Sequence, residues 1–141
     1  MNIAKSAVQI LSIAFVLGTL SVNAALVVTI AEPKTAASKS VIKLTIQNTF
    51  TEQVTSARAT LFLVDEKEKV VGQSVNWVIG GSKAKPALKP DGKTTFNFVL
   101  TDAKPFTRVK LMFNRVILQN GKLADPMKDV VISFETEDVK K

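Results

Sequence analysis

The sequence predicts an all-β protein in which two sheets pack face to face as a sandwich. Apolar and polar residues alternate with a period of two in several segments, which is the pattern of a strand with one buried face. Turn signals separate these segments at regular intervals, and no window has the apolar spacing of an amphipathic helix. Since a single open sheet would leave an apolar face uncovered, two packed sheets are expected.

The alternation is clearest in residues 41–47, where Ile42, Leu44 and Ile46 point to one side of the strand. About seven strands are predicted in all, at residues 26–30, 41–47, 57–65, 70–79, 95–100, 108–114 and 130–134. Their apolar sides are expected to share one core, formed by Ile42, Leu44, Ile46, Leu61, Leu63, Phe96, Phe98, Leu111 and Phe113. The single tryptophan, Trp77, is also expected in this core, because Val75 and Ile79 share its face.

Three short segments predict turns between the strands. The charged segment 65–69 begins with Asp65, whose carboxylate is expected to accept backbone N–H bonds. Pro90 and Gly92 flank Asp91 in a second turn, where the glycine is expected to supply a positive φ. Asn120 followed by Gly121 favours a tight hairpin turn, because both residue types tolerate a positive φ.

The N-terminal residues 1–24 have the pattern of a secretory signal peptide that forms a helix. Lys5 precedes an apolar stretch, and Val22 and Ala24 provide the small residues of a cleavage site. The expected products are a signal segment, 1–24, and a sandwich domain, 25–141, located in a bacterial periplasm or secreted. The alternative is an uncleaved helix that anchors the protein in the membrane, because residues 6–31 carry no charge.

The composition excludes several classes of chemistry. The chain of 141 residues contains no cysteine, histidine or tyrosine, so it has neither an imidazole base nor a Cys/His metal site. Ser82 and Lys85 have the spacing of a Ser-x-x-Lys nucleophile motif, but Gly81 and Pro86 flank them and favour a loop. We therefore expect no enzyme activity, no catalytic residues, no cofactor and no metal.

A resemblance to a known family is visible in residues 40–113. Leu61-Phe-Leu-Val-Asp65 resembles the motif of the bacterial FxLyD-type domain, with leucine and valine at its two aromatic positions. Asn48 resembles the asparagine that ends an early strand of that family, and residues 88–96 resemble the approach to one of its core strands. The resemblance implies an immunoglobulin-like or fibronectin III-like antiparallel sandwich of an exported protein, and it implies no activity.

Two surfaces are candidates for contact with partners. Four lysines cluster in one segment and could attract anionic surfaces, or they could simply keep the loop soluble: Lys83, Lys85, Lys89 and Lys93. Phe62 and Val64 alternate with the core residues of their strand, so they face outward or toward another element. If they are exposed, they could form an apolar partner face. Nucleic acid is not an expected partner, because of the export signal and because no aromatic residues are interleaved with the lysines.

These features together predict a non-catalytic exported protein that serves as a binding or structural module of the cell envelope. Its partner is expected to be a protein or another envelope component. The alternative function is that of an accessory factor tethered to the membrane by the uncleaved N-terminal helix.

We predict that the mature protein begins at Ala25, because the cleavage site ends at Ala24. N-terminal sequencing of the protein recovered from the exported fraction tests this prediction. Recovery of the full-length chain from the membrane fraction alone would instead support the anchored form.

Overall fold

The computed structural model describes residues 24–81, 86–102 and 104–135, which form two β-sheets without an α-helix. Apart from Ala24, the predicted signal segment lies outside the described residues. The eight strands in this part of the chain are β1 (Leu26–Ile30), β2 (Lys34–Ala36), β3 (Lys39–Asn48), β4 (Val54–Val64), β5 (Val70–Ile79), β6 (Lys93–Thr101), β7 (Arg108–Leu118) and β8 (Val130–Phe134). All seven predicted strands are present, and the short β2 is additional.

The first sheet, which we call sheet I, has five strands arranged around β3. β6 pairs antiparallel with β3 over most of its length, from Lys39 with Thr101 to Gln47 with Lys93. β1 and β2 also pair antiparallel with β3, near its end and its beginning respectively. β3 is therefore the strand that holds this sheet together.

The second sheet, sheet II, consists of β5, β4 and β7 in that order. Both neighbours of the central strand β4 run antiparallel to it. The chain passes from sheet I to sheet II between β3 and β4, and it returns between β5 and β6. These crossings place consecutive parts of the sequence on opposite sides of one core.

The last strand departs from the antiparallel arrangement that the sequence led us to expect. β8 pairs parallel with β1, in a register that runs from Leu26 with Val130 to Ile30 with Phe134. After β7, residues 122–124 first run back along its end, where the Ala124 amide donates to the Val116 carbonyl at 2.9 Å. The chain then crosses to sheet I and enters it beside the first strand, which makes this pair parallel.

One apolar core fills the space between the two sheets. The predicted core residues of β3 and β4 are fully buried, and so is Phe98 of β6. Phe113 of β7 is also in the core, whereas Phe96 and Leu111 are partly buried and pack against it. The period-two prediction of the core is thus confirmed, with these two side chains at its margin.

Trp77 is not a core residue, which corrects the prediction. Its side chain is partly exposed on the outer side of sheet II, where it is the cross-strand neighbour of Arg58. The next pair joins Ala57 with Ile79, so Val78 is an extra residue in β5. This β-bulge changes which side of the sheet the following side chains occupy, and both Val78 and Ile79 are buried.

The predicted turns adopt conformations that their side chains support. The Asp65 carboxylate accepts hydrogen bonds from the amides of Lys67 and Lys69, at 2.8 and 2.9 Å. Asn120 and Gly121 have φ values of 68° and 76°, as expected for a tight turn. In the Pro90 turn the positive φ is found at Asp91 and not at the glycine that follows it.

Asn48, which is completely buried at the end of β3, joins two of the crossings between the sheets, the one from β3 to β4 and the one from β5 to β6. Its side-chain amide nitrogen donates to the carbonyls of Glu52 and Leu88, at 3.0 and 2.9 Å. Its side-chain oxygen accepts from the Phe50 amide at 2.8 Å. The Asn48 backbone bonds to the second crossing as well, since its carbonyl accepts from the Asp91 amide at 2.7 Å. One side chain therefore fixes segments that lie 40 residues apart.

We predict that Phe98→Ala lowers the free energy of unfolding by about 3–5 kcal/mol, because it opens a cavity in the shared core. Val99→Thr is the matched control: it changes the adjacent residue, which is 49% exposed, and keeps a branched side chain. We expect a change of about 0.5 kcal/mol or less for the control. Urea unfolding followed by circular dichroism measures both values, and equal effects would contradict this description of the core.

Replacing Asn48 should also lower the stability of the fold. Asn48→Ala leaves the buried Phe50 amide without its acceptor, which costs about 1–3 kcal/mol, and it removes one of the two donors to the Leu88 carbonyl. Asn48→Asp keeps the acceptor but places a carboxylate against two carbonyl oxygens, so it should be no more stable than the alanine variant. Asn97→Ala, at an exposed position of β6, is the control. Urea unfolding is the measurement, and wild-type stability of Asn48→Asp would show that the two donated bonds contribute nothing.

Candidate partner-binding face

The two residues that the sequence assigned to a partner face have different environments. Phe62 of β4 is partly exposed on the side of sheet II that faces away from the core. Val64 is only 1% exposed, which corrects the expectation that it contributes to an exposed patch. The candidate face therefore includes Phe62 and extends from it toward the beginning of β4, away from Val64.

Cross-strand pairing arranges this side of sheet II, which we call the outer face, in rows. Each row contains one residue from each of β5, β4 and β7. From one end to the other the rows are Trp77, Arg58 and Arg115; then Val75, Thr60 and Met112; then Gln73, Phe62 and Lys110. Rows that lie two residues apart along a strand are separated by about 6.6 Å.

The first row carries two arginines side by side. Arg58 and Arg115 are directly paired across β4 and β7, and both are exposed. The Arg58 guanidinium carbon lies 5.9 Å from the ring centre of Trp77, within the range of a cation–π contact. The ring also lies close to Gly81, where an added Cβ would be 2.5 Å from the Trp77 Cγ atom. The Gly81 backbone and the Arg58 guanidinium thus both lie close to the indole and limit its position.

The second row is apolar at both ends and polar in the middle. Val75 and Met112 are 39% and 47% exposed, which is high for large apolar side chains in paired strands. Between them, Thr60 is buried, and its hydroxyl donates to the Asn114 side-chain oxygen at 2.8 Å. Because this hydroxyl already has its partner, the row presents apolar surface to solvent.

The third row combines an aromatic ring with a cation. Phe62 lies beside Lys110, and the Lys110 amine is 3.7 Å from a carboxylate oxygen of Glu68. Glu68 also forms an ion pair with Arg108 near the start of β7. Lys110 and Arg108 thus share the carboxylate of Glu68 at this end of the outer face. At the other end, no ion pair among the described residues includes Arg58 or Arg115.

The predicted lysine cluster is divided. Lys83 and Lys85, together with Ser82, lie outside the described residues. Lys89 and Lys93 are exposed, as expected for a solvated surface. Lys93 begins β6 and is paired with Gln47, so it belongs to sheet I and not to the outer face of sheet II. The described lysines therefore do not extend the outer face, and the cluster stays a prediction as an anionic-partner site.

A second exposed apolar region lies between the start of β7 and the end of β8. A cleft of about 310 Å³ is lined there by Pro33, Phe106, Thr107, Arg108, Val109 and Phe134. Phe134 is 55% exposed, and its cross-strand partner Ile30 is buried. The cleft exists because β8 joins sheet I and leaves this side of β7 without a neighbouring strand within the described ranges.

Two other kinds of feature are absent from the described residues. No group of three or more acidic side chains in this part of the chain is placed to hold a metal ion. Within the same residues there is no helix long and apolar enough to cross a membrane.

Sequence reasoning did not identify Arg58, Met112 and Arg115 as site residues, although the signal was partly present. The alternation in β4 already placed Arg58 on the side of Phe62, and that in β7 placed Met112 opposite its core residues. Arg115 follows a bulge, because Arg58 pairs with Arg115 and Ala59 pairs with Phe113. Pairing and bulges, which bring these residues together, are not visible in one strand's sequence.

Comparison with known proteins gives similarity of structure only. No family model matches the sequence, and no curated protein matches it. The solved structure of IrmA from Escherichia coli is similar with a TM-score of 0.53 and 11% identity, covering 77% of this chain and 91% of IrmA. The structure of an ApaA protein from Bordetella pertussis also has a TM-score of 0.53, with 14% identity over 72% of this chain and 87% of that protein. At these identities the comparisons support the two-sheet β fold and carry no function.

Proposed function

We propose that this protein is an exported, non-catalytic binding module of the bacterial cell envelope that contacts a partner through the outer face of sheet II. The observation that carries the proposal is the row of Val75 and Met112, which exposes large apolar side chains between two rows that contain cations. Exposed apolar groups next to charges are the composition of an interaction surface. Export to the periplasm or beyond rests on the signal-peptide pattern of residues 1–24.

An immunoglobulin-like sandwich is the finer fold that we infer. In that fold the second and fifth strands are neighbours in one sheet, and the third and sixth are neighbours in the other. Here β3 and β6 are paired in sheet I, while β4 and β7 are paired in sheet II. This follows the same order when the short β2 is left out and β5 is counted as the extra strand beside β4. The parallel pairing of β1 with β8 is the main departure. The Asp65 turn and the buried Asn48 support the proposed FxLyD-type relationship, since both residues belong to the resembling motifs.

Such a module works by presenting a rigid surface. β4 is paired on both sides and packs its inner face on the core, so the outer face is preorganised before a partner arrives. A surface held in one conformation loses little entropy on binding. This arrangement suits recognition and requires none of the nucleophiles, bases or metal ligands of an enzyme.

The outer face is tested by site-specific photo-crosslinking in the native host. A photoreactive residue at Gln73, at the edge of the outer face, should give a discrete adduct in the exported fraction. The same residue at Thr95, on the outer side of sheet I, should give none. Met112→Glu should abolish the Gln73 adduct, because it places a charge in the apolar row. Equal labelling from both positions, or no adduct from Gln73, would contradict the proposed function.

A further inference from the structure

The paired arginines of the outer face have an energetic cost that the fold itself does not explain. Like charges directly opposite each other on neighbouring strands destabilise a sheet. Arg58 and Arg115 are in this position, and no acidic side chain among the described residues forms an ion pair with either. An anionic group that binds between the two guanidinium groups would remove the repulsion.

Trp77 prepares one of these arginines for such contact. The cation–π contact holds the Arg58 guanidinium near the indole ring, and Gly81 supports the ring from the backbone. A guanidinium whose position is already limited loses less entropy when it binds a carboxylate, and its planar donors match the two carboxylate oxygens. The first row is therefore suited to a carboxylate.

The apolar row distinguishes between two kinds of anionic partner. A sulfated or carboxylated polysaccharide would favour continuous cations and has no apolar side chain to cover Val75 and Met112. A protein segment can place an apolar side chain beside its carboxylate and bury part of this exposed surface. The outer face therefore favours a protein.

The third row adds a second charge requirement, because Lys110 and Arg108 share the single carboxylate of Glu68 and together leave one positive charge uncompensated. Lys110 lies four residues along the sheet from the Arg58 row, about 13 Å away at the usual rise of a strand. An extended chain places alternate side chains on one face with nearly the same spacing as the rows, about 6.6 Å. Successive side chains on one face of such a chain would therefore match the three rows in turn.

We infer that the outer face binds an acidic, extended segment of a partner protein, in which two carboxylates flank an apolar side chain at alternate positions. One carboxylate lies between Arg58 and Arg115, the apolar side chain contacts Val75 and Met112, and the second carboxylate lies near Lys110 and Phe62. This inference rests on the proposed function and adds the chemistry of the partner to it.

Synthetic peptides test this chemistry directly on the purified, isotopically labelled protein. The probe is a short peptide with glutamate, leucine and glutamate at alternate positions, and the comparison probe has serine in place of leucine. Nuclear magnetic resonance titration should show the leucine peptide perturbing the amides of Arg58, Val75, Met112 and Arg115. Loss of the leucine contact should weaken binding about tenfold, as partial burial of one such side chain predicts.

Paired charge variants locate the binding. Arg58→Gln with Arg115→Gln should weaken the leucine peptide at least tenfold, because the variant loses the charge-assisted hydrogen bonds of both guanidinium groups to the carboxylate. Lys39→Gln with Lys43→Gln removes the same charge from exposed positions of β3 in sheet I and should leave the affinity unchanged. Three outcomes would each overturn the inference. The first is that the spectral perturbations are confined to Lys89 and Lys93, and the second is that both peptides bind with equal affinity. The third is that heparin binds the outer face more tightly than the leucine peptide does.

The crosslinking experiment separates failure of this inference from failure of the proposed function. If the Gln73 adduct survives in the Arg58→Gln, Arg115→Gln variant, the outer face binds a partner but the acidic chemistry is wrong. If the adduct never forms, the proposed function fails and the inference fails with it. If the adduct forms and is lost in the double variant but not in the Lys39→Gln, Lys43→Gln control, both are supported.

Discussion

The arrangement of the two sheets depends on the hydrogen bonds of the buried Asn48 side-chain amide. A sandwich must carry its chain from one sheet to the other, and the crossing segments have backbone groups that no strand satisfies. Here both crossings at one end of the molecule meet at this side chain, which donates two hydrogen bonds and accepts one. A buried polar group whose bonds are all made can specify one arrangement, because each alternative leaves some of them unmade.

The alignment of the rows in the outer face depends on these hydrogen bonds of Asn48. β4 begins six residues after Asn48, and the Val54 amide and carbonyl bond to Leu88, whose carbonyl also accepts from Asn48. The starting position of β4 is thereby fixed relative to sheet I. β4 in turn aligns β5 and β7, so the rows of the outer face follow from where this central strand begins.

Much of the fold could be predicted from the sequence because alternation is a local property. Ile42, Leu44 and Ile46 show their common face without knowledge of any partner strand, and the structure buries all three. The failures have non-local causes. Val78 forms a bulge only when β5 is aligned with β4. Ile79 is therefore buried, whereas Trp77 lies on the outer side with Val75. β8 runs parallel to β1 because of where the chain crosses after β7, which no pattern within residues 130–134 reveals.

The candidate site was predictable to a smaller extent for the same reason. Phe62 could be assigned to an exposed side of its strand, but the residue two positions later is buried, so alternation did not decide exposure. The neighbouring cations come from β7, some 50 residues further along the chain. A surface assembled from three strands becomes visible only when their register is known.

The parallel pairing of the first and last strands also determines how the domain would respond to tension. Ala25 leads into β1 at one end of the pair, and Glu135 leaves β8 at the opposite end. A force that pulls these points apart therefore acts along both strands, in shear. The parallel ladder, extended by the bonds from the Leu26 amide to Asp129 and from the Glu135 amide to Ile30, would bear the load on all its bonds together. A force in that direction does not unzip the pair, because it does not load and break the hydrogen bonds one after another.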